Sequence, residues 1–139
     1  MNHYDVIVIG GGQAGLAIGY HLAQQGSRFT ILDAGAALAA VWRSRWDSQR
    51  LFTPARYDSL PGLAFPGDRD HYLTRDEVVS YVLDYARHFA LPVELDSRVT
   101  ALRADNGGYR VELVGRALIT AVARQLGEPR EPATVAQCA

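Results

Sequence analysis

The chain contains 139 residues, of which 48% are hydrophobic, and its formal net charge is −1 at pH 7. This length suits a single domain, and the composition is ordinary for a globular protein. A charge so close to zero gives no electrostatic basis for binding nucleic acid or a membrane surface, so neither is expected as a partner. All 14 Lys and Arg positions are arginine, which excludes a Schiff-base lysine, a Walker-type lysine and a Tyr-x-x-x-Lys dehydrogenase pair.

Cysteine, histidine and targeting patterns exclude further classes. The single cysteine, Cys138, allows no internal disulfide and no Cys-x-x-Cys redox pair. His71 and His88 have no partners at metal-ligand spacing, so no metal site is expected. The first apolar run, residues 6–9, is too short for a signal peptide, and no apolar run reaches transmembrane length. We therefore expect a cytoplasmic protein.

A glycine-rich turn near the N-terminus carries the strongest functional signal. The apolar run 6–9 predicts a strand, residues 16–22 have helical spacing, and Gly10, Gly12 and Gly15 between them follow the pattern G-x-G-x-x-G. In a dinucleotide-binding fold the first glycine allows a sharp turn, the second lets a diphosphate approach the backbone, and the third lets helix and strand pack closely. The helix N-terminus adds N–H donors and a partial positive charge.

An acidic residue follows the next predicted strand. Residues 29–32 form a second apolar run that leads to Asp33, 18 residues after Gly15. A carboxylate there accepts hydrogen bonds from a ribose 2′-hydroxyl and repels a 2′-phosphate. This order of elements predicts an adenine dinucleotide site on an α/β, Rossmann-like fold with a parallel sheet and flanking helices. FAD and NAD share the motif, so these residues alone do not choose between them, and a glycine turn with only a packing role is the alternative.

A long connection and a capped helix come next. Residues 34–73 are rich in arginine, proline and aromatic residues, and a loop of this length in a compact domain is usually functional or disordered. Thr74 and Glu77 have the spacing of a capping box, which predicts a helix that begins there. Its apolar stripe, at helical spacing, is expected to pack on the sheet. The stripe consists of Val78, Val79, Val82, Tyr85, Ala86 and Phe89.

The last part of the chain predicts short strands and then an irregular segment. Residues 93–95 indicate a short strand. Residues 99–103 and 109–114 alternate apolar and polar side chains around an Asp-Asn-Gly-Gly turn, which predicts a β-hairpin. Residues 117–126 are compatible with a short helix, and the Gly- and Pro-containing residues 127–139 are expected to be unstructured.

Segment 41–62 distinguishes between the two cofactors. It reads Val-Trp-Arg-Ser-Arg-Trp-Asp-Ser-Gln-Arg-Leu-Phe-Thr-Pro-Ala-Arg-Tyr-Asp-Ser-Leu-Pro-Gly. Together with the glycine motif and the Phe-Pro-Gly-Asp sequence at 65–68, it resembles the N-terminal flavin-binding region of flavin-containing monooxygenases and related NADPH-dependent, FAD-binding oxidoreductases. The similarity extends from about Tyr4 to about Val114.

The resemblance implies a bound FAD that NADPH reduces and that then reacts with O₂ to oxygenate a substrate. It implies that Asp33 holds the adenosine ribose and that the backbone of Val99 meets the adenine edge. Trp42 and Arg43 are implied to lie along the cofactor toward the flavin, with Thr53 nearby. The residues implied to hold the pyrophosphate are Gly10, Gly12, Gln13, Ala14 and Gly15. Neither a catalytic side chain nor a substrate is indicated.

Several of these aromatic and basic residues also fit purely structural roles. Trp42 and Trp46, four residues apart, are compatible with a core-facing helical pair, and Tyr81 and Tyr85 are expected to be packing residues. The arginines of the segment are compatible with solvated surface charges, with Arg43 the best candidate for a flavin or phosphate contact by resemblance. These arginines are at positions 43, 45, 50 and 56.

The chain departs from the family pattern in three places. Ala39 and Ala40 occupy positions where relatives usually carry a glycine that lets the backbone approach the flavin, and no Ala-Thr-Gly strand follows Val114. A second glycine motif, which would bind NADPH, is missing. We therefore expect a partial FAD-binding domain over 1–115, a non-matching, poorly ordered tail over 116–139, and a truncation or a change of reading frame near their boundary.

The resulting hypothesis is an FAD-dependent, monooxygenase-like oxidoreductase. This chain is expected to carry its FAD-binding part, on a Rossmann-like fold that is incomplete at its C-terminal side. One alternative is a non-catalytic remnant or a nucleotide-binding module that needs a partner chain. Another is the NAD-binding domain of a dehydrogenase, which the Trp-Arg-rich segment disfavours. The sequence indicates no oligomeric state.

Overall fold

The computed structural model describes residues 3–105, 107–115, 119–121 and 135–137. None of the helices in these ranges is long and apolar enough to cross a membrane. The helices are α1 (Gln13–Gln24), α2 (Ala40–Arg43), a 3₁₀ helix (Ala55–Tyr57) and α3 (Arg75–His88). The strands are β1 (His3–Tyr4), β2 (Val6–Ile9), β3 (Phe29–Leu32), β4 (Val93–Glu94), β5 (Val99–Asp105), β6 (Gly108–Leu113), β7 (Ile119–Ala121) and β8 (Val135–Gln137).

A parallel sheet with the strand order β4-β3-β2-β8 forms the centre of the fold. All four residues of β3 are buried, as expected for a parallel sheet that is covered on both faces. Val6 pairs with Phe29 and Ile9 with Leu32, so β2 and β3 end at the same edge. That register places Gly10 and Asp33, the next residues of the two strands, side by side.

The predicted hairpin is confirmed in a second sheet, which has the order β1-β7-β6-β5. Strands β5 and β6 are antiparallel, and Asp105 pairs with Gly108 at the turn. The buried side chains Val111 and Leu113 of β6 form a small core with Ile7 and Leu32 of the parallel sheet. The hairpin therefore packs directly on the β2–β3 pair, near the edge where Asp33 lies.

Helix α3 begins as the sequence predicts. The Thr74 hydroxyl accepts a hydrogen bond from the Glu77 N–H, and the Glu77 carboxylate accepts one from the Thr74 N–H, which completes the capping box. Phe89, the C-cap, is half-buried. The helix buries six side chains in the main core: Val78, Val79, Tyr81, Val82, Tyr85 and Ala86.

Helix α3 also holds the long connection in place. Tyr81 Oη accepts a hydrogen bond from the Leu60 N–H at 2.8 Å and donates one to the Leu63 carbonyl at 2.6 Å. Tyr85 Oη donates to the Pro61 carbonyl at 2.6 Å. The two tyrosines are packing residues, as predicted, but their hydroxyls also fix the backbone of this connection.

The C-terminal segment differs from the sequence-based expectation. The predicted helix over 117–126 is wrong at Ile119–Ala121, which form β7 between β1 and β6. Val135–Gln137, within the segment expected to be unstructured, form β8 beside β2. Pairing with an open strand edge outweighs the weak local preferences of such segments. Cys138 lies outside the described residues, and the proposed domain boundary at 115 stays a prediction.

Candidate dinucleotide-binding site

The glycine turn joins β2 to α1 at the carboxyl edge of the parallel sheet. Gly10 has a φ of +107°, a conformation that favours glycine, and its N–H donates to the Leu32 carbonyl at 2.8 Å. A Cβ on Gly15 would lie 1.9 Å from the Gly10 carbonyl oxygen, so only glycine fits there. A Cβ on Gly12 would meet no atom within 4 Å, because this glycine faces open space. The sharp turn at Gly10 and the close packing at Gly15 are as the spacing predicts, and the approach of a diphosphate at Gly12 stays a prediction.

The N-terminus of α1 has free hydrogen-bond donors. Gly12 is the N-cap, and within the part of the chain that the structure describes it has no side chain to cap the helix. The first N–H groups of a helix have no partner within the helix, and the helix dipole favours an anion beside them. The open space in front of Gly12 is therefore suited to a phosphate group.

Asp33 connects the glycine turn to the loop after β3. Its Oδ2 accepts a hydrogen bond from the Gly11 N–H and its Oδ1 accepts one from the Gly35 N–H, both at 2.7 Å. Each carboxylate oxygen has a second lone pair available. The side chain can therefore hold the turn in place and still accept hydrogen bonds from the hydroxyls of a ribose.

Two cavities meet at this edge of the sheet. The first has a volume of about 390 Å³ and is lined by the glycine turn, the start of α1 and helix α2. The second, of about 430 Å³, lies between the β3 loop and the start of the hairpin, and Val99 lines it. The residues that line both cavities are Gly10, Asp33, Ala40 and Val41. We call them the diphosphate cavity and the adenosine cavity for the parts of a dinucleotide that they suit.

Trp42 lines the diphosphate cavity from α2. Its Nε1 donates to the Gln13 Oε1 of α1 at 3.4 Å, and its ring is half-buried. Trp46, by contrast, is 71% exposed, so the two tryptophans do not form a buried helical pair. A further cavity of about 170 Å³ continues behind Trp42, between Leu51 and Asp58.

The diphosphate cavity also contains a cation that the sequence analysis did not select. Arg45 lines it, with its guanidinium carbon 5.4 Å from the centroid of the Trp42 ring. Its place three residues after Trp42 is the sequence signal that could have identified it, because that spacing brings side chains together at the end of a helix.

Two residues implied by the resemblance lie outside both cavities. The Nε of Arg43 donates to the Leu38 carbonyl at 3.3 Å, and Arg43 lines a separate cleft with Arg75. The Thr53 hydroxyl donates to the Asp58 carboxylate. Contacts of these two side chains with a cofactor stay predictions.

Among the residues that the structure describes, no group of three or more His, Cys, Asp and Glu side chains is arranged to hold a metal ion. The site instead combines a strand–turn–helix–strand unit, an open helix N-terminus and a carboxylate at the end of the second strand. These features define a dinucleotide-binding protein of the Rossmann type.

Comparison with known proteins specifies the family. The family described as pyridine nucleotide-disulphide oxidoreductase matches residues 7–121, and the chain belongs to it. An oxidoreductase of Geobacillus kaustophilus named CzcO-like is 45% identical over 107 residues, which are 77% of this chain and 31% of that protein. A probable indole-3-pyruvate monooxygenase, YUCCA7 of Arabidopsis thaliana, is 33% identical over 79% of this chain and 26% of its own length.

Solved structures agree with these sequence relatives. A flavin-containing monooxygenase from Stenotrophomonas maltophilia superposes with a TM-score of 0.83 at 38% identity, covering 87% of this chain and 37% of that one. The predicted resemblance to the N-terminal region of flavin monooxygenase-like oxidoreductases is therefore confirmed. The chain spans about a third of the length of the relatives that it matches.

Proposed function

We propose that this chain is the FAD-binding part of an NADPH-dependent, flavin monooxygenase-like oxidoreductase. The observation that carries the proposal is the pair of cavities joined at Gly10 and Asp33, with the open side of Gly12 facing the first of them. Similarity to flavin monooxygenases over most of the chain supports FAD rather than NAD as the dinucleotide.

The residues fit the parts of FAD as follows. The backbone of the glycine motif and of Gln13 and Ala14 would bind the diphosphate, and Asp33 would accept hydrogen bonds from the adenosine ribose. Val99, in the adenosine cavity, would meet the adenine. Trp42 would border the cofactor on its flavin side, where an aromatic wall limits the access of water.

When bound, FAD supplies the redox chemistry, accepting a hydride equivalent and passing electrons to an acceptor. The residues of this chain bind and orient the cofactor. The hydride donor site and the substrate pocket belong to the proposal for the whole enzyme. The relatives are about three times as long as this chain.

Reconstitution with FAD tests the proposal. The purified chain is expected to retain or take up FAD, with flavin absorbance at about 450 nm, because the glycine turn, the N-terminus of α1 and Asp33 have the arrangement of a dinucleotide site. Gly12→Val is expected to abolish binding while the fold persists, since the added side chain enters open space that a phosphate would occupy. Ala23→Val, at the exposed end of the same helix, is the control and is expected to bind FAD normally.

Three outcomes would contradict the proposal. A folded, colourless chain that resists reconstitution would favour a non-catalytic remnant. Tighter binding of NAD than of FAD would favour a dehydrogenase domain. Unchanged FAD affinity in the Gly12→Val variant would remove the glycine turn from the site.

A further inference from the structure

The four arginines of segment 43–56 differ in whether their guanidinium groups already have partners. The Nε of Arg43 donates to the Leu38 carbonyl, Arg50 Nη1 donates to the Tyr72 carbonyl at 3.0 Å, and Arg56 forms an ion pair with Asp70. The guanidinium of Arg45 makes no hydrogen bond or ion pair within residues 3–105 and 107–115. All five of its N–H donors are therefore available to a ligand.

The backbone of Arg45 is fixed although its side chain is free. The Arg45 N–H donates to the Trp42 carbonyl at 3.2 Å, and the Arg45 carbonyl accepts a hydrogen bond from Arg75 Nη1 at 2.9 Å. Arg75 also pairs with Asp47 at 2.5 Å and with Asp76 at 2.9 Å, at the start of α3. The turn that carries Arg45 is thus anchored to the start of α3, and the Arg45 guanidinium lies over the Trp42 ring.

The charge balance of the diphosphate cavity leaves a role for this cation. Among the described lining residues, the ionisable side chains are Asp33 and Arg45. The Asp33 carboxylate is already bonded to two backbone N–H groups. A dinucleotide diphosphate carries two negative charges, and the N-terminus of α1 supplies only about half of one positive charge. A guanidinium is suited to balance the remaining negative charge of the diphosphate, because its planar fork binds phosphate oxygens in pairs.

We propose that Arg45 is the side chain that binds the diphosphate of the cofactor, in place of Arg43. The inference rests on the proposed function in so far as it takes the anion to be part of FAD. Trp42 positions the guanidinium, and the Trp42–Gln13 hydrogen bond links it to the helix N-terminus that faces the same phosphates. Arg43 lies in another cleft, beside Arg75.

Affinity measurements on three arginine variants test this assignment. Arg45→Ala is expected to weaken binding of both FAD and ADP by about 10- to 100-fold, the range for one charged hydrogen-bond partner. The difference in affinity between the wild-type chain and Arg45→Ala is expected to become smaller at high salt, because salt screens an exposed charge. Arg45→Lys is expected to recover part of the affinity, since it restores the charge without the fork. Arg43→Ala is expected to have a smaller effect than Arg45→Ala.

Arg50→Ala serves as the matched control, because it removes an arginine of the same segment that lines neither cavity. Binding of FAD is followed by quenching of flavin fluorescence and binding of ADP by calorimetry. Equal affinities of Arg45→Ala and Arg50→Ala for both ligands would overturn the assignment. A loss for FAD without a loss for ADP would also overturn it, because the contact would then be with the flavin.

The two proposals fail in different ways. A wild-type chain that binds ADP in an Arg45-dependent manner but does not bind FAD would refute the proposed function and leave the phosphate contact standing. A chain that binds FAD with no dependence on Arg45 would refute only the contact. A folded chain that binds neither ligand would refute both.

Discussion

Ala39 adopts a backbone conformation that its side chain disfavours. It precedes α2 with φ +60° and ψ +24°, in the left-handed region. This region costs a non-glycine residue about 1–2 kcal/mol. Ala39 and Ala40 are the positions where the family resemblance leads us to expect a glycine, and at Ala39 the left-handed backbone is a second physical reason for one.

Ala39→Gly is therefore expected to stabilise the chain. We predict an increase of up to about 1 kcal/mol in the free energy of unfolding, measured by urea denaturation, because the strain that glycine removes exceeds its chain-entropy cost. The control is Ala40→Gly, the first residue of α2, which is expected to lose about 0.5–1 kcal/mol through chain entropy. A glycine at 39 that destabilises the protein as much as one at 40 would show that no strain is stored there.

At this scale the sequence predicts the residues whose role depends on local geometry. Gly10, Gly15 and Asp33 follow from spacing within one strand–turn–helix–strand unit. Arg45 does not, because its place in the cavity depends on how a distant helix, through Arg75, anchors the turn that carries it. Choosing Arg45 over Arg43 requires knowledge of that long-range contact.

Helix α3 couples its own packing to the connection that borders the site. Tyr85 is fully buried, and its hydroxyl donates to the Pro61 carbonyl. Burial, with smaller contributions from Tyr81 and Tyr20, raises the pKa of Tyr85 to about 12 from its ordinary value of 10.0. The folded state therefore holds a proton that the unfolded state releases above pH 10.

This difference predicts a loss of stability at alkaline pH. The contribution of Tyr85 is fully present below pH 10 and is lost as the pH rises toward about 12. Tyr85→Phe is expected to reduce stability at pH 7 by about 1 kcal/mol, through the lost hydrogen bond, and to make unfolding less pH-dependent between pH 10 and 11. Urea denaturation at pH 7, 10 and 11 measures both effects. If the free energy of unfolding changed equally with pH in the wild-type chain and in Tyr85→Phe, the prediction would be contradicted.

The capping box predicts an effect at the acid end of the pH scale. The hydrogen bond from the Thr74 N–H, with a smaller contribution from His71, holds the pKa of Glu77 below its ordinary value of 4.5. A lowered pKa means that Glu77 stabilises the fold above about pH 4.5 and that this stabilisation is lost as the pH falls through the lowered value.

Glu77→Gln is the variant that isolates this group. It keeps an oxygen acceptor for the Thr74 N–H but removes the titrating charge, so unfolding of the variant is expected to depend less on pH below 4.5. Thermal unfolding between pH 3 and 6 is the measurement. Asp84→Asn, on the exposed face of the same helix, is the control for removing one carboxylate, and an equal change in both variants would contradict the role of the cap.

At the scale of elements, the sequence predicts those whose signals are local. Helix α3 has its cap and apolar stripe, and the hairpin has its turn and alternation. Strand β8 is missed because its neighbour β2 is far away in the chain. Strand β7 follows its neighbour β6 closely, but its other neighbour, β1, is equally distant. Three-residue strands have too few side chains for their own periodicity to identify them.

Large apolar side chains are exposed in the connection over residues 34–73. Phe52 is 93% exposed, Tyr57 72%, Trp46 71% and Val41 70%, and all four lie in the connection that borders the diphosphate cavity. Exposed apolar side chains grouped in one segment are typical of surfaces that contact another protein segment. The sequence shows that this segment is rich in aromatic residues. It does not predict that these side chains are exposed, because their exposure depends on what packs against them.

The isolated chain is therefore expected to self-associate at high concentration. The double variant Trp46→Ser, Phe52→Ser is expected to shift the sedimentation profile toward the monomer, because it removes two of the exposed aromatic side chains of this connection. Leu102→Ser, at a 44% exposed position on the hairpin, is the control and is expected to leave association unchanged. A monomeric wild-type chain at all concentrations would contradict the prediction.

The pairing of Val8 with Ala136 joins two residues that lie 128 positions apart, so the ribosome synthesises Val8 long before Ala136. Until Val135–Gln137 have left the exit tunnel, β2 has a neighbour on one side only, while the glycine turn and α1 are already complete. The nascent protein thus passes through a stage in which the strand preceding the glycine turn has a vacant hydrogen-bonding edge, and a foreign strand can occupy that edge first.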